Sequence, residues 1–143
     1  MGTGQMLLVL LAVVLFSSIL LANYEQLFSQ IDLVTRGMVM LQGQSIADSI
    51  FQRIQTDYLN DPSNYCVDDV ISNYDTSGTK YMNNYFYNYT ISVSKCNVAG
   101  DVSTPTEDAV KVDIVMTCPV GNDTVRIGTA TNPMSKLYYD LFN

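Results

Sequence analysis

The first twenty-three residues, MGTGQMLLVLLAVVLFSSILLAN, contain no acid, no base and no proline, and the first charge of the chain is Glu25. From Met6 to Ala22 the run is apolar apart from Ser17 and Ser18. As a helix it spans ~25 Å, near the lower limit for crossing a bilayer core of about 30 Å. A cleavable secretory signal carries a basic start, a shorter apolar stretch and a small-x-small cleavage site. Here the first base is Arg36, and the run ends Leu20-Leu21-Ala22-Asn23-Tyr24 with no such site. A permanent single-span anchor would place Lys or Arg on its cytoplasmic flank, and none precedes Met6. A short basic leader removed ahead of Met1 accounts for the missing topology signal.

The helical pattern continues past Ala22 and changes character. Leu27, Phe28, Ile31, Val34, Met38 and Leu41, then Ile46, Ile50, Ile54 and Tyr58, recur at intervals of three to five, with Gln26, Gln30, Arg36, Gln44, Asp48 and Gln52 between them. No proline occurs before Pro62, and Asn60-Asp61-Pro62 is a stop signal. The pattern predicts one helix over about residues 3–59, ~85 Å long, whose first half one small core cannot bury. Gly37 and Gly43 are its weak points, offering a bend or a close approach to a neighbour.

After Pro62 the signals become those of strand and turn. Residues 61–82 read as a loop around the short apolar piece Val67 to Ile71, with one strand or helical turn. Three stretches rich in aromatic and β-branched residues follow: Tyr85 to Lys95, Ala109 to Cys118 and Thr124 to Ala130. Val110, Val112, Ile114 and Met116 alternate with Lys111, Asp113, Val115 and Thr117, as in a sheet with one buried face. Val120-Gly121-Asn122-Asp123 is the tight turn joining the last two stretches. The expected fold is α+β: a long N-terminal helix whose second half packs on an antiparallel meander of three or four strands. The expected organisation is 1–24 apolar helix segment, 25–60 amphipathic continuation and 61–143 β-rich head.

Composition excludes several functions. Seven basic against fourteen acidic residues leave a net charge of -7, which repels polyphosphate, so no nucleic-acid partner is expected. Histidine is absent, there is no Gly-x-Ser-x-Gly elbow or phosphate loop, and the carboxylates are mostly scattered, so no nucleophile has an identifiable base. No enzyme activity and no cofactor are expected. Cys66, Cys96 and Cys118 lack metal-ligand spacing, and no metal site is expected. Asp68-Asp69 and the loop from Asp101 to Asp108 lack EF-hand spacing and read as solvated loop. Outside the cytoplasm a disulfide plus one spare thiol fits the three cysteines. Cys96 and Cys118 would lie at opposite ends of a hairpin, roughly 30 Å apart at ~3.3 Å per residue, which leaves Cys66 to pair with Cys96 or Cys118. Asn88-Tyr89-Thr90 and Asn122-Asp123-Thr124 are acceptor sequences for glycosylation at Asn88 and Asn122. Tyr81, Tyr85, Tyr87 and Tyr89 share one strand face if their stretch is extended, and sheet packing or subunit contact is the expected use.

The charge-free start, the apolar stretch, its amphipathic continuation to about residue 55 and the small sheet-rich head together resemble a processed type IV pilin. The likeness covers the whole architecture, and its sequence-specific part lies in residues 1–24. It implies cleavage by a prepilin peptidase, methylation of the new terminus at Met1, and a membrane pool drawn by pilus assembly machinery into a homo-oligomeric helical filament at the cell surface. It further implies that Met6, Leu7, Leu10, Leu11, Val14, Leu15, Ile19 and Leu20 pack the filament core. The family usually has a glutamate as its fifth mature residue, and this chain has Gln5. An amide there can satisfy hydrogen bonds without the desolvation cost of a charge, and it points toward a minor or pseudopilin-like subunit as the alternative. A single-span anchored accessory or ligand-binding protein is a further alternative.

Overall fold

The computed structural model describes residues 2–60, 67–103, 105 and 109–139. Its elements in chain order are α1 (Thr3–Asn60), α2 (Val67–Tyr74), β1 (Thr76–Met82), β2 (Tyr85–Cys96), β3 (Ala109–Val120), β4 (Asp123–Ile127) and β5 (Met134–Tyr139). The fold is α+β, a long N-terminal helix followed by a small antiparallel sheet. Two compact units divide at Gly37, the first ending there and the second beginning at Met38.

The first unit is helix alone. Gln5 N donates to the Gly2 carbonyl at 3.0 Å and Met6 N to the same oxygen at 3.4 Å, closing the first turn. Ser18 and Thr35 return their hydroxyls to the carbonyls of Leu15 and Ile31, both at 2.8 Å, so neither interrupts the helix. Asp32 and Arg36, one turn apart, form an exposed ion pair at 2.8 Å.

In the second unit α1 has one buried face. Val39, Ile46, Ala47, Phe51 and Ile54 are buried and Ile50 is half-buried, the spacing of a single stripe on a 3.6-residue helix. Gly43 sits in that stripe, and a Cβ there would fall 2.1 Å from Ile127 Cδ1. Its missing side chain is what lets the helix backbone approach the sheet. The other face of this core comes from Tyr87, Ile91 and Val93 of β2, Val110, Val112, Ile114, Met116 and Cys118 of β3, and Val125 and Ile127 of β4. The expected alternation in β3 holds throughout: its even-numbered residues from Val110 to Cys118 are buried and the intervening ones half-exposed.

The sheet has five strands, one more than the upper end of the sequence expectation, and every pairing is antiparallel. Its order is β1-β2-β3-β4, with β5 also on β3. β4 pairs with Met116 to Val120 and β5 with Ala109 to Ile114, so two short strands share one edge of a long one. Gly128, at φ +74°, lies between them; a Cβ there would meet the Ile114 carbonyl oxygen at 3.1 Å and Met134 N at 3.2 Å. The left-handed backbone and the close approach both call for glycine. Residues 67–82 hold both a helix, α2, and a full strand, β1, where one strand or helical turn is expected from the pattern. The β1–β2 hairpin turns on Asn83 and Asn84, both with positive φ (49° and 68°), the two-residue form whose twist matches the strands. Stretch 124–130 forms strand only to Ile127, where Gly128 takes it off the ladder.

Candidate functional site: the apolar helix and the surface of the head

Two features qualify as functional surface: the apolar segment of α1 and the side chains that fix the rest of α1 to the sheet. Met6, Leu7, Leu10, Leu11, Val14, Leu15, Ile19 and Leu20 are all exposed, from 41% for Leu20 to 67% for Leu7. Leu8, Val9, Val13, Phe16 and Leu21 on the remaining faces are exposed as well. The segment is therefore apolar on every side and covered on none. Each such side chain leaves roughly 1.5–3 kcal/mol of burial free energy unrealised in water. By length and composition α1 can cross a membrane. Gln5 is exposed within the first turn. Met1 lies outside the described residues.

Between residues 24 and 34 the exposed apolar residues Tyr24, Leu27, Phe28, Ile31 and Val34 lie along one side of the helix, with exposed Leu33 off that side. This is one arc of helix surface, in contrast to the all-round apolarity before it. Glu25, Asp32 and Arg36 fall at spacings of seven and four, together on another side.

Tyrosine hydroxyls hold the second half of α1 to the head. Tyr87 donates to Gln42 Oε1 at 2.8 Å, Tyr138 to the Phe51 carbonyl at 2.8 Å, and Tyr74 to the Asp57 carboxylate. Lys136 Nζ donates to Gln55 Oε1 at 3.2 Å. The contacts run in order along the helix from Gln42 to Asp57 and come from β2, β5 and α2. Burial pushes the Tyr138 phenol above the usual tyrosine range, and burial followed by the neighbouring Cys118 and Tyr85 does the same for Tyr87. Both are protonated donors at neutral pH. Their role was not legible in the sequence, which contains ten tyrosines and no sign of which would reach the helix.

The tyrosines at 85, 87 and 89 do share a strand face, and it is the inner one. Tyr87 is fully buried, Tyr85 and Tyr89 half-buried, and the Tyr89 ring lies over Gly78, where a Cβ would meet its hydroxyl at 2.6 Å. Sheet packing is thus their use. Tyr81 is exposed and stacks at a tilt on Phe86, ring centroids 4.8 Å apart.

The cysteines separate as their spacing requires. Cys96 pairs across the ladder with Ala109, while Cys118 lies nine residues farther along β3, so the two cannot bond. Cys118 is a buried thiol whose Sγ lies 3.8 Å from the Pro119 carbonyl. Burial raises the Cys96 and Cys118 thiols above the usual range. Cys66 lies outside the described residues, and with it the expected pairing to Cys96 or Cys118. Asn88 is on the outer face of β2, accepting a hydrogen bond from Thr79 Oγ1 at 2.8 Å, and Asn122 is exposed in the β3–β4 turn. Among the described residues no group of three His, Cys, Asp or Glu side chains gathers as metal ligands. Asp101 instead accepts from Ser103 N at 2.9 Å and from its hydroxyl at 2.7 Å; Asp108 and the side chains of Asp68 and Asp69 lie outside the described residues.

Compared with known protein families, with curated proteins and with solved structures, the chain gives no significant match in any of the three. The long apolar helix followed by an antiparallel sheet is consistent with a pilin-like architecture.

Proposed function

We propose that this chain is a structural subunit of an extracellular filament of the type IV pilus kind, held in the membrane by α1 before assembly and polymerised through the same segment afterwards. The observation that carries the reading is that residues 6–22 are apolar on all faces and exposed on all faces. A segment of that kind needs an apolar surrounding on every side. Lipid supplies one, and a bundle of parallel copies supplies another, with the backbone hydrogen bonds kept inside the helix in both. Association in the second setting rests on packing rather than on a hydrophobic gain over lipid, for which small residues such as Ala12, Ser17, Ser18 and Ala22 allow close approach. A heterologous contact whose rotation does not close propagates an open helical polymer.

On this reading the arc Tyr24, Leu27, Phe28, Ile31 and Val34 faces neighbouring copies, the pilus machinery and a prepilin peptidase are the partners, and the acidic head faces water. Gln5 in place of the family's glutamate favours a second assignment, a minor or pseudopilin-like subunit added to a filament built mainly of another chain. Material sheared from cells and freed of detergent distinguishes the cases. Sedimentable filaments composed of this chain, with an N-terminus that mass spectrometry places at Met1, support the major-subunit reading. Trace amounts in filaments of another protein support the second assignment. A detergent-requiring monomer, or a terminus at Asn23 or beyond, refutes both.

A further inference from the structure

The two glycosylation sequences sit in opposite structural settings, and we infer that Asn122, and not Asn88, is a site of N-linked glycan attachment on the folded head. Asn122 occupies the apex of the β3–β4 hairpin, after Gly121 at φ +61°, with Gly121, Asn122, Asp123 and Thr124 all exposed. Neither the Asn122 amide nor the Thr124 hydroxyl has a hydrogen-bond partner among the described residues, so the two groups that define the acceptor are uncommitted. A two-residue apex can enter a transferase cleft without the sheet opening.

Asn88 meets none of these conditions. β2 is an interior strand, and Asn88 is paired with Thr79 of β1 on one side and Thr117 of β3 on the other. Its side-chain oxygen is held by Thr79 Oγ1 at 2.8 Å. Its neighbour Tyr89 is packed over Gly78. Presenting Asn88 would break ladder bonds on both flanks of the strand and lift an aromatic ring, an opening of the sheet rather than of a turn.

The step is a substitution at the anomeric carbon of a lipid-linked oligosaccharide. Asn122 Nδ2 forms the bond to C1, the C1–O bond to the lipid phosphate breaks, the phosphate leaves with the electron pair, and Nδ2 gives up one proton. The donor is a polyprenyl-phosphate-linked glycan supplied by the host membrane. The inference rests on the extracytoplasmic placement of the head proposed above, since the acceptor must meet that donor.

The test is site-resolved glycopeptide mass spectrometry on the full chain purified from the cells that make it, with the fractions also imaged for filaments. The expected result is a glycan adduct on the peptide containing Asn122 and bare mass on that containing Asn88. Asn122→Gln and Thr124→Val each remove the one adduct, Thr124→Ser keeps it, and Asn88→Gln changes nothing. Bare Asn122 in material that forms filaments overturns the inference and leaves the filament reading standing; bare Asn122 in a cytoplasmic monomer overturns both. An adduct carried equally by Asn88, or one that survives Thr124→Val, also overturns it.

Discussion

Residues 6–22 and 39–54 belong to the same helix, and both are rich in Leu, Ile, Val and Ala, yet they are built for different surroundings. In the later segment Val39, Ile46, Ala47, Phe51 and Ile54 form a single buried stripe, and Gln44, Asp48 and Gln52 lie on the exposed side together with Met40 and Leu41. In the earlier one the apolar residues go all the way round and every one of them is exposed. A stripe suits burial on one side, as the sheet provides here, and an apolar full circumference suits burial on every side, in a core or a membrane. Proportion of apolar residues does not separate the two cases; angular distribution does.

A charge in the earlier segment should do the most damage. Leu11→Arg places a charge in the middle of the all-round apolar stretch, at a cost of about 2.5–3.5 kcal/mol for membrane placement alone. It should abolish membrane retention and polymer formation while leaving the β-sheet circular dichroism of the head unchanged, as read by fractionation and spectroscopy on one preparation. Breaking the later segment gives the converse. Ile54→Ala removes a side chain that is 1% exposed and should cost roughly 2–5 kcal/mol in denaturant unfolding of the head, with membrane retention intact.

Smaller changes sharpen the contrast. Gly43→Leu forces bulk into the helix–sheet approach at Ile127 and should destabilise the head by about 1–3 kcal/mol, whereas Gly37→Leu, at a position with nothing within 4 Å, should not. Tyr138→Phe removes the hydroxyl bonded to the Phe51 carbonyl and should cost about 0.5–1.5 kcal/mol at neutral pH. It should also flatten the alkaline limb of stability. Burial raises the Tyr138 pKa in the folded state, so the unfolded chain loses this proton first. The stabilisation is complete below the ordinary tyrosine pKa of about 10 and declines as pH rises above it. Unfolding midpoints of wild type and Tyr138→Phe measured from pH 8 to 11 should therefore converge toward the alkaline end.

Much of this was legible in the chain because it rests on periodicity and punctuation. The uninterrupted run before Pro62 marked the helix to within a residue at its end, Asn60. Strict alternation marked β3, and Gly121-Asn122 marked its turn. The pairing ladder then separated Cys96 from Cys118 as strand rise requires. β1 was harder to read because it is a polar edge strand, Thr76-Ser77-Gly78-Thr79-Lys80-Tyr81-Met82, exposed along most of its length, with a glycine where Tyr89 crosses it. β5 was missed because it pairs with only half of β3, beyond a glycine-led reversal whose geometry no local pattern announces. The tyrosine clasps were invisible for a different reason. A hydroxyl reaching a helix carbonyl 87 residues away leaves no mark on local sequence.

On the proposed reading, residues 6–22 are solvated by copies of themselves once they leave lipid. An electron cryomicroscopy reconstruction of the detergent-free assembled material tests it directly. The predicted map is a helical polymer with a core of bundled α1 segments, Leu7 to Leu20 enclosed by neighbouring copies and the sheets on the outside. A polymer joined through its heads with the apolar helices outermost, or a field of dispersed monomers, would contradict it.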